Sequence, residues 1–247
     1  MQDRQSALDG ARRILAALAM LLATGETTDR SYVGIQGLAI VGEHSDVAGT
    51  QHGIGAGPLL QVHAERSHLA IHLEGIPVVS IPGTQPSVTY GQATPKLGIF
   101  NGDAEYAIDR GRRAWLGLGE TIYNQRTPLP AQEQSVSSRL AGVRYTLRIR
   151  QGFGASHFFE GFVGAAPYLS GSDVYAYTSG APSTIKPERA SEIDASLALG
   201  FTHNRTQWLL GIRSINFSAM YPLTGAAADR NVGIGPYIEW RTLLHEP

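Results

Sequence analysis

The amino-acid sequence predicts an all-β protein, a closed antiparallel up-and-down β-barrel of about ten strands, with eight or twelve strands as alternatives. Three observations support this prediction. Apolar and polar residues alternate with a period of two, and short turns alternate with longer Gly- and Pro-rich connections. The chain of 247 residues contains 29 glycines but only 17% charged residues, whereas an average soluble domain contains about 25% charged residues.

The alternation is clearest in residues 191–202, where Ile193, Leu197 and Phe201 occupy one face of a strand and Asp194 lies on the other. Successive side chains of a strand point to opposite faces, so each such segment has one apolar and one polar face. The predicted strands begin near Ser31, Pro58, His68, Lys96, Ala114, Ser138, His157, Ser191, Thr206 and Asn231.

Strand length and loop asymmetry favour a barrel that crosses a membrane. A strand of about ten residues, rising about 3.3 Å per residue and tilted near 45°, climbs about 23 Å, close to an apolar band about 25 Å tall. Tight turns at one end and long connections at the other are typical of bacterial outer-membrane barrels. The predicted long connections are residues 42–57, 75–95, 127–136, 170–190 and 222–230.

Neighbouring strands can be aligned by matching apolar faces, because a slip of one residue would turn a whole face over. A turn at residues 204–205 pairs Phe201 with Trp208, and a turn at residues 109–113 pairs Tyr106 with Leu116.

Two further hairpins follow from the same matching. A turn at residues 66–67 pairs Ala64 with Leu69, and a Gly-rich turn sets Ile149 opposite Phe159. The second register places Arg148 directly opposite Glu160.

Two strands contain irregular positions. Glu120 falls on the apolar side of its strand, whereas Ile215 and Phe217 fall on the polar side of theirs. We expect a β-bulge to restore the alternation at either place.

The N-terminus has the pattern of a secretory signal peptide. Arg12 and Arg13 precede a ten-residue apolar run, and the small residues Ala23 and Gly25 follow it. The predicted domains are therefore a signal peptide, residues 1–25, and a barrel domain, residues 26–247. The formal net charge of −1 gives the molecule no overall positive field that would attract nucleic acid. Because the chain contains no cysteine, disulfides and thiolate chemistry are excluded.

The composition of the two faces predicts that the apolar face points outward into lipid. The polar face is rich in glycine, which suits a narrow lumen, and the chain contains only 20 Lys and Arg residues. The predicted membrane-interface aromatics are Tyr106, Phe201, Trp208 and Trp240, all near strand ends. The alternative is a soluble barrel with its apolar face inside.

The last strand, residues 231–240, has a polar residue, a glycine and then alternating hydrophobic positions. It resembles the C-terminal assembly signal of Gram-negative outer-membrane β-barrels, although Pro236 stands at a hydrophobic position and the chain ends on Pro247. The resemblance is to this broad class, not to one family. It implies outer-membrane lipid and the barrel-assembly machinery as partners, the latter through the C-terminal strand.

Charges of both signs lie on the polar face, and we expect them to pair inside the lumen. The inward arginines are Arg144, Arg148, Arg150, Arg213 and Arg241, and the matching carboxylates are Asp103, Glu105, Glu160, Asp194 and Glu239. Opposite charges in so narrow a lumen should block flow, whereas barrels of roughly 16 or more strands form wide aqueous pores.

Three groups of side chains could in principle form a metal, acid–base or nucleophilic site, but we assign none of these functions to them. His63 and His72 lie on one hairpin, yet the predicted register sets His63 against Ala70, so no metal site is expected. The carboxylate pair at residues 103 and 105 is read as counter-ions to arginine. Ser67-His68 and Ser156-His157 are adjacent pairs, predicted to point to opposite faces and form no nucleophile–base contact.

The sequence therefore predicts an outer-membrane barrel with a structural, surface-interaction or limited-permeation role, without a cofactor. The second reading is a soluble extracytoplasmic barrel that binds an apolar ligand. The third is an outer-membrane hydrolase: the strand count resembles that of omptin proteases, but no acidic pair facing an Asp-x-His is found. Oligomeric state and ligand stay open.

Overall fold

The computed structural model describes residues 30–46, 49–80, 96–129, 134–177, 181–221 and 228–245. They form twelve β-strands: β1 (Arg30–Asp46), β2 (Gly49–Arg66), β3 (Leu69–Ser80), β4 (Lys96–Ala107), β5 (Ala114–Leu129), β6 (Gln134–Phe153), β7 (His157–Ala166), β8 (Ser170–Tyr177), β9 (Ser183–Ile185), β10 (Arg189–His203), β11 (Thr206–Met220) and β12 (Ala228–His245). In this part of the chain no helix is long and apolar enough to cross a membrane. The predicted signal peptide, residues 1–25, lies outside the described residues and stays a prediction.

Ten of the strands close into an antiparallel barrel, as the sequence predicts. Their order around the wall is β1-β2-β3-β4-β5-β6-β7-β10-β11-β12, and β12 pairs with β1 to complete the ring. Closure leaves no unpaired strand edge along the wall, which is the condition for crossing hydrocarbon.

Two of the four predicted hairpin registers are confirmed. Phe201 pairs with Trp208, and Tyr106 pairs with Leu116. The first of these hairpins turns on Asn204, whose φ of 52° lies in the left-handed region that Asn adopts more readily than most residues. The sequence therefore marks this turn correctly.

The other two registers are wrong by two residues. Ala64 pairs with Ile71 rather than Leu69, and Ile149 pairs with Gly161 rather than Phe159. A two-residue shift leaves each side chain on its own face, so apolar matching cannot distinguish the two registers.

The strands are longer than predicted, and two lie where only a connection is expected. β1 and β2 continue into residues 42–57, where the buried Gly42, Gly53 and Gly55 hide the polar–apolar alternation because they provide no polar side chain. β6 is 20 residues long, whereas its neighbour β7 has only 10 residues. The first part of β6, residues 134–141, therefore pairs with β8, and β8 pairs with β9. Residues 170–190 thus contain strand structure rather than a simple loop.

The apolar face points outward, and the soluble alternative with an apolar interior is wrong. Leu199, Leu210 and Ile212 are 61%, 63% and 57% exposed, whereas inward Asp194 and Arg213 are 1% and 4% exposed. A band of exposed aliphatic and aromatic residues surrounds the wall, as in barrels that face lipid.

The two irregular positions need no bulge. β11 pairs with β10 and with β12 without a register shift, so Ile215 and Phe217 simply point into the lumen. Glu120 pairs with Gly102 and Val143 and is exposed on the outer face.

Candidate functional site in the barrel lumen

The lumen is crossed by arginine–carboxylate contacts at successive heights. At the level nearest the short turns, Arg241 of β12 donates to both oxygens of Glu160 of β7, at 2.8 and 2.5 Å. Glu160 also lies 3.6 Å from Arg150 and 3.9 Å from Arg148. Arg241 additionally contacts Glu239 of its own strand.

At the next level, Arg148 of β6 reaches Glu105 of β4. Its Nε and Nη2 atoms donate to the carboxylate at 3.1–3.2 Å. The Phe162 ring lies 5.2 Å from the Arg148 guanidinium and 5.1 Å from that of Arg144, within cation–π range. This ring fills the space between the two arginines.

The third level connects five strands through two arginines. Arg144 of β6 lies between Asp103 at 3.3 Å and Asp194 of β10 at 3.2 Å. Arg213 of β11 donates to the same Asp194 at 3.0 Å and to Glu74 of β3 at 2.9 and 2.5 Å. These contacts join opposite walls of the barrel.

Above the third level, an apolar cluster fills the lumen beside a small polar group, in which the Tyr123 hydroxyl donates to Gln125 at 2.6 Å and accepts from Asn231 at 2.9 Å. Tyr123 and Phe217 stack with ring centroids 3.8 Å apart and an interplanar angle of 4°. Leu59, Leu140 and Leu169 complete the same buried cluster. The lumen thus contains a charged network with an apolar cluster on its long-connection side.

Glycines give the large lumen side chains their space. A Cβ at Gly164 would overlap the Arg144 guanidinium, and one at Gly200 would overlap the Phe158 ring. The predicted glycine-rich inner face therefore accommodates particular arginine and aromatic side chains.

Every predicted lumen residue lies inside the barrel, but the pairing differs from the predicted one. Arg150, not Arg148, stands directly opposite Glu160, because the β6–β7 register is shifted by two. The main partner of Arg148 is Glu105, on a strand that is not its neighbour. Hairpin matching cannot reveal contacts across the lumen.

The predicted lumen ion pairs omit two carboxylates of the network. Glu74 binds Arg213, and Glu192 contacts the Thr121 hydroxyl at 2.7 Å. Both already fall on the polar face of their strands, so strand parity was the available signal. With them, seven buried lumen carboxylates face five arginines among the described residues.

The histidine expectation is corrected. In the actual register His63 stands directly opposite His72, with ring centroids 5.7 Å apart. His63 contacts Glu65 at 2.8 Å, and His72 lies 3.8 Å from Glu74. Within the described residues, no three or more His, Asp or Glu side chains are arranged to hold a metal ion.

The adjacent Ser–His pairs do make contact, contrary to expectation. Ser67 Oγ lies 3.3 Å from His68 Nδ1, and Ser156 Oγ lies 3.2 Å from His157 Nδ1. The turns bend the chain so that neighbouring side chains meet. Both pairs are exposed and lie in separate short turns.

The predicted aromatics lie on the outer face near the short turns. Trp208 of β11 pairs with Phe201 of β10 and with Trp240 of β12. Tyr106 lies on another part of the wall, on β4. All four are between 41% and 55% exposed.

Comparison with known proteins identifies the fold. The outer-membrane protease OmpT from Escherichia coli matches with a TM-score of 0.56 and 10% identity, over 88% of this chain and 98% of that one. Neisserial surface protein A matches at 0.37 and 12% identity (86% and 96% covered), and a Pseudomonas aeruginosa FadL homologue at 0.35 and 9% (87% and 90%). No family model matches, and no curated protein matches. The chain thus has the fold of Gram-negative outer-membrane β-barrels.

Proposed function

We propose that this protein resides in the bacterial outer membrane as a barrel with a closed lumen, and that its role is structural or surface-interacting rather than bulk permeation. One observation carries the proposal: at three heights, guanidinium groups contact carboxylates on strands that are not their neighbours in the wall. The contacts Arg213–Glu74 and Arg241–Glu160 connect residues 139 and 81 positions apart in sequence.

The network opposes flow for an electrostatic reason. Each buried guanidinium is held by one or more carboxylates, and opening a path would separate charges that water must then solvate. The apolar cluster around Tyr123 and Phe217 adds a second barrier, because its packed side chains occupy the lumen and replace little of the hydration that an ion would lose.

The outer surface supports the proposed location. Exposed aliphatic side chains surround the wall, and exposed aromatics follow the short-turn end, as in interfacial girdles. Fractionation of expressing cells should recover the protein with the outer membrane, with gel mobility that changes on heating. A soluble periplasmic protein without heat-modifiable mobility would overturn this location.

Conductance tests the closed lumen. Purified protein in planar bilayers should give no porin-sized steps. Heat-modifiable gel mobility of the reconstituted protein verifies independently that it has inserted. Large, steady steps from the wild-type protein would refute the closed lumen.

The strands that extend toward the long-connection end offer the surface for interactions. β8 and β9 pair there beyond the end of β7. β12 pairs with β1 and β11 along most of its length, and we propose that the same strand engages the assembly machinery.

A further inference from the structure

The short-turn end of the barrel carries a concentration of positive charge. Its four turns contain four arginines, and a fifth ends β2 directly before its turn; the five, here called the arginine rim, are Arg66, Arg110, Arg112, Arg113 and Arg205. Asp109 is the single acidic residue in these turns. The charge of these turns is therefore strongly positive, although the whole chain has a net charge of −1.

Contacts join three neighbouring turns of the rim into one surface. Arg112 Nη1 donates to the Ser67 carbonyl of the β2–β3 turn at 3.3 Å. Arg113 pairs with Asp109 at 3.4 Å and donates to Gln151 of β6 at 3.2 Å. The arginines on this sector are therefore positioned side by side rather than scattered around the ring.

The rim adjoins the aromatic band on the outer face. Arg66 points outward opposite Leu69, which is 64% exposed, and Leu69 stands opposite Tyr106. Exposed aromatic side chains near strand ends mark the level of lipid headgroups. A guanidinium immediately beyond them reaches the depth of the phosphates.

We propose that the arginine rim binds the phosphates of anionic phospholipids in the leaflet on the short-turn side. Guanidinium groups pair with phosphate through two parallel hydrogen bonds. A basic residue at an anionic membrane surface contributes about 1 kcal/mol, or roughly fivefold in local lipid association. The inference rests on the proposed membrane location.

The test is the association of spin-labelled phosphatidylglycerol and phosphatidylcholine with the barrel in mixed vesicles. The full-length mature protein is refolded, and heat-modifiable mobility verifies insertion. We expect a clear preference for phosphatidylglycerol that falls with added salt, since exposed charges are screened. The triple variant Arg66→Gln/Arg110→Gln/Arg205→Gln should lose most of it.

A matched control removes three exposed arginines from the other end, Arg126→Gln/Arg139→Gln/Arg189→Gln. It should keep the preference. The inference is overturned if the inserted wild-type barrel shows none, or if both triple variants lose it equally. Failure to insert at all refutes the proposed location instead.

Two further measurements distinguish binding of phospholipid from binding of other anions. Inorganic phosphate should compete no better than chloride at equal ionic strength; stronger competition would reassign the rim to a free-anion site. Co-sedimentation with peptidoglycan that depends on the rim, without lipid preference, would overturn the phospholipid assignment as well.

Discussion

Glu160→Ala should destabilise the barrel by about 3–5 kcal/mol, the cost of leaving a buried charge without its partner. Glu160 is 7% exposed and accepts two hydrogen bonds from Arg241, with Arg148 and Arg150 within 4 Å. Its loss leaves three guanidinium groups close together. Arg148 keeps Glu105 and Arg241 keeps Glu239, which places the effect toward the lower part of that range.

Denaturant unfolding of the refolded protein in vesicles measures this effect. The double variant Glu160→Ala/Arg150→Met should recover part of the loss, because Arg150, unlike Arg148 and Arg241, has no second carboxylate partner among the described contacts. Arg113→Gln is the control: its side chain is 60% exposed in the pair with Asp109, so its loss should cost only about 0–1 kcal/mol. If Glu160→Ala unfolds like the wild type, the lumen network does not stabilise the barrel.

Three other perturbations address different parts of the structure. Gly200→Val should displace the Phe158 ring, and thermal unfolding should show a lower midpoint, while Gly152→Val, near the turn, changes it little. Phe217→Ala should cost about 3–5 kcal/mol in denaturant unfolding by leaving a cavity beside Tyr123, whereas no change would place Phe217 outside the buried cluster. The hydrogen bond from the Ala114 amide, with that from Arg113, lowers the pKa of Asp109. The ionised Asp109 carboxylate therefore stabilises the β4–β5 turn fully above the pKa that Asp109 has in the unfolded chain. This stabilisation is lost as the pH falls through the lower pKa of Asp109 in the folded protein. The protection factors of the Ala114 and Arg113 amides, which correct for the intrinsic pH dependence of exchange, should fall at acid pH, and Asp109→Asn should remove that fall.

The sequence determines strand parity well, because one face of each wall strand is apolar and exposed and the other is polar and lines the lumen. That requirement predicts the ten wall strands, the outward direction of Leu199 and the inward direction of Arg144. It also predicts which charges share the interior.

Pairing within the interior follows from other physics. Strand parity permits both Arg148–Glu160 and Arg150–Glu160, and barrel closure decides which residues meet across the lumen. The Ser67 turn, with a φ of 55°, carries no Asn or Gly to mark it, so its hairpin is misplaced by two residues. As a consequence, His63 lies directly opposite His72, whereas the predicted register places His63 opposite Ala70.

Spin-label accessibility tests the central claim, a barrel that faces lipid with its apolar side. The chain contains no cysteine, so each introduced cysteine carries the only label. Labels at Leu199 and Leu210, both more than 60% exposed, should be relaxed by oxygen but not by a water-soluble nickel chelate. A label at Asn204, in the turn, should show the opposite preference. Strong relaxation by the nickel chelate at Leu199 and Leu210 would contradict the account, because it would place the apolar face in water.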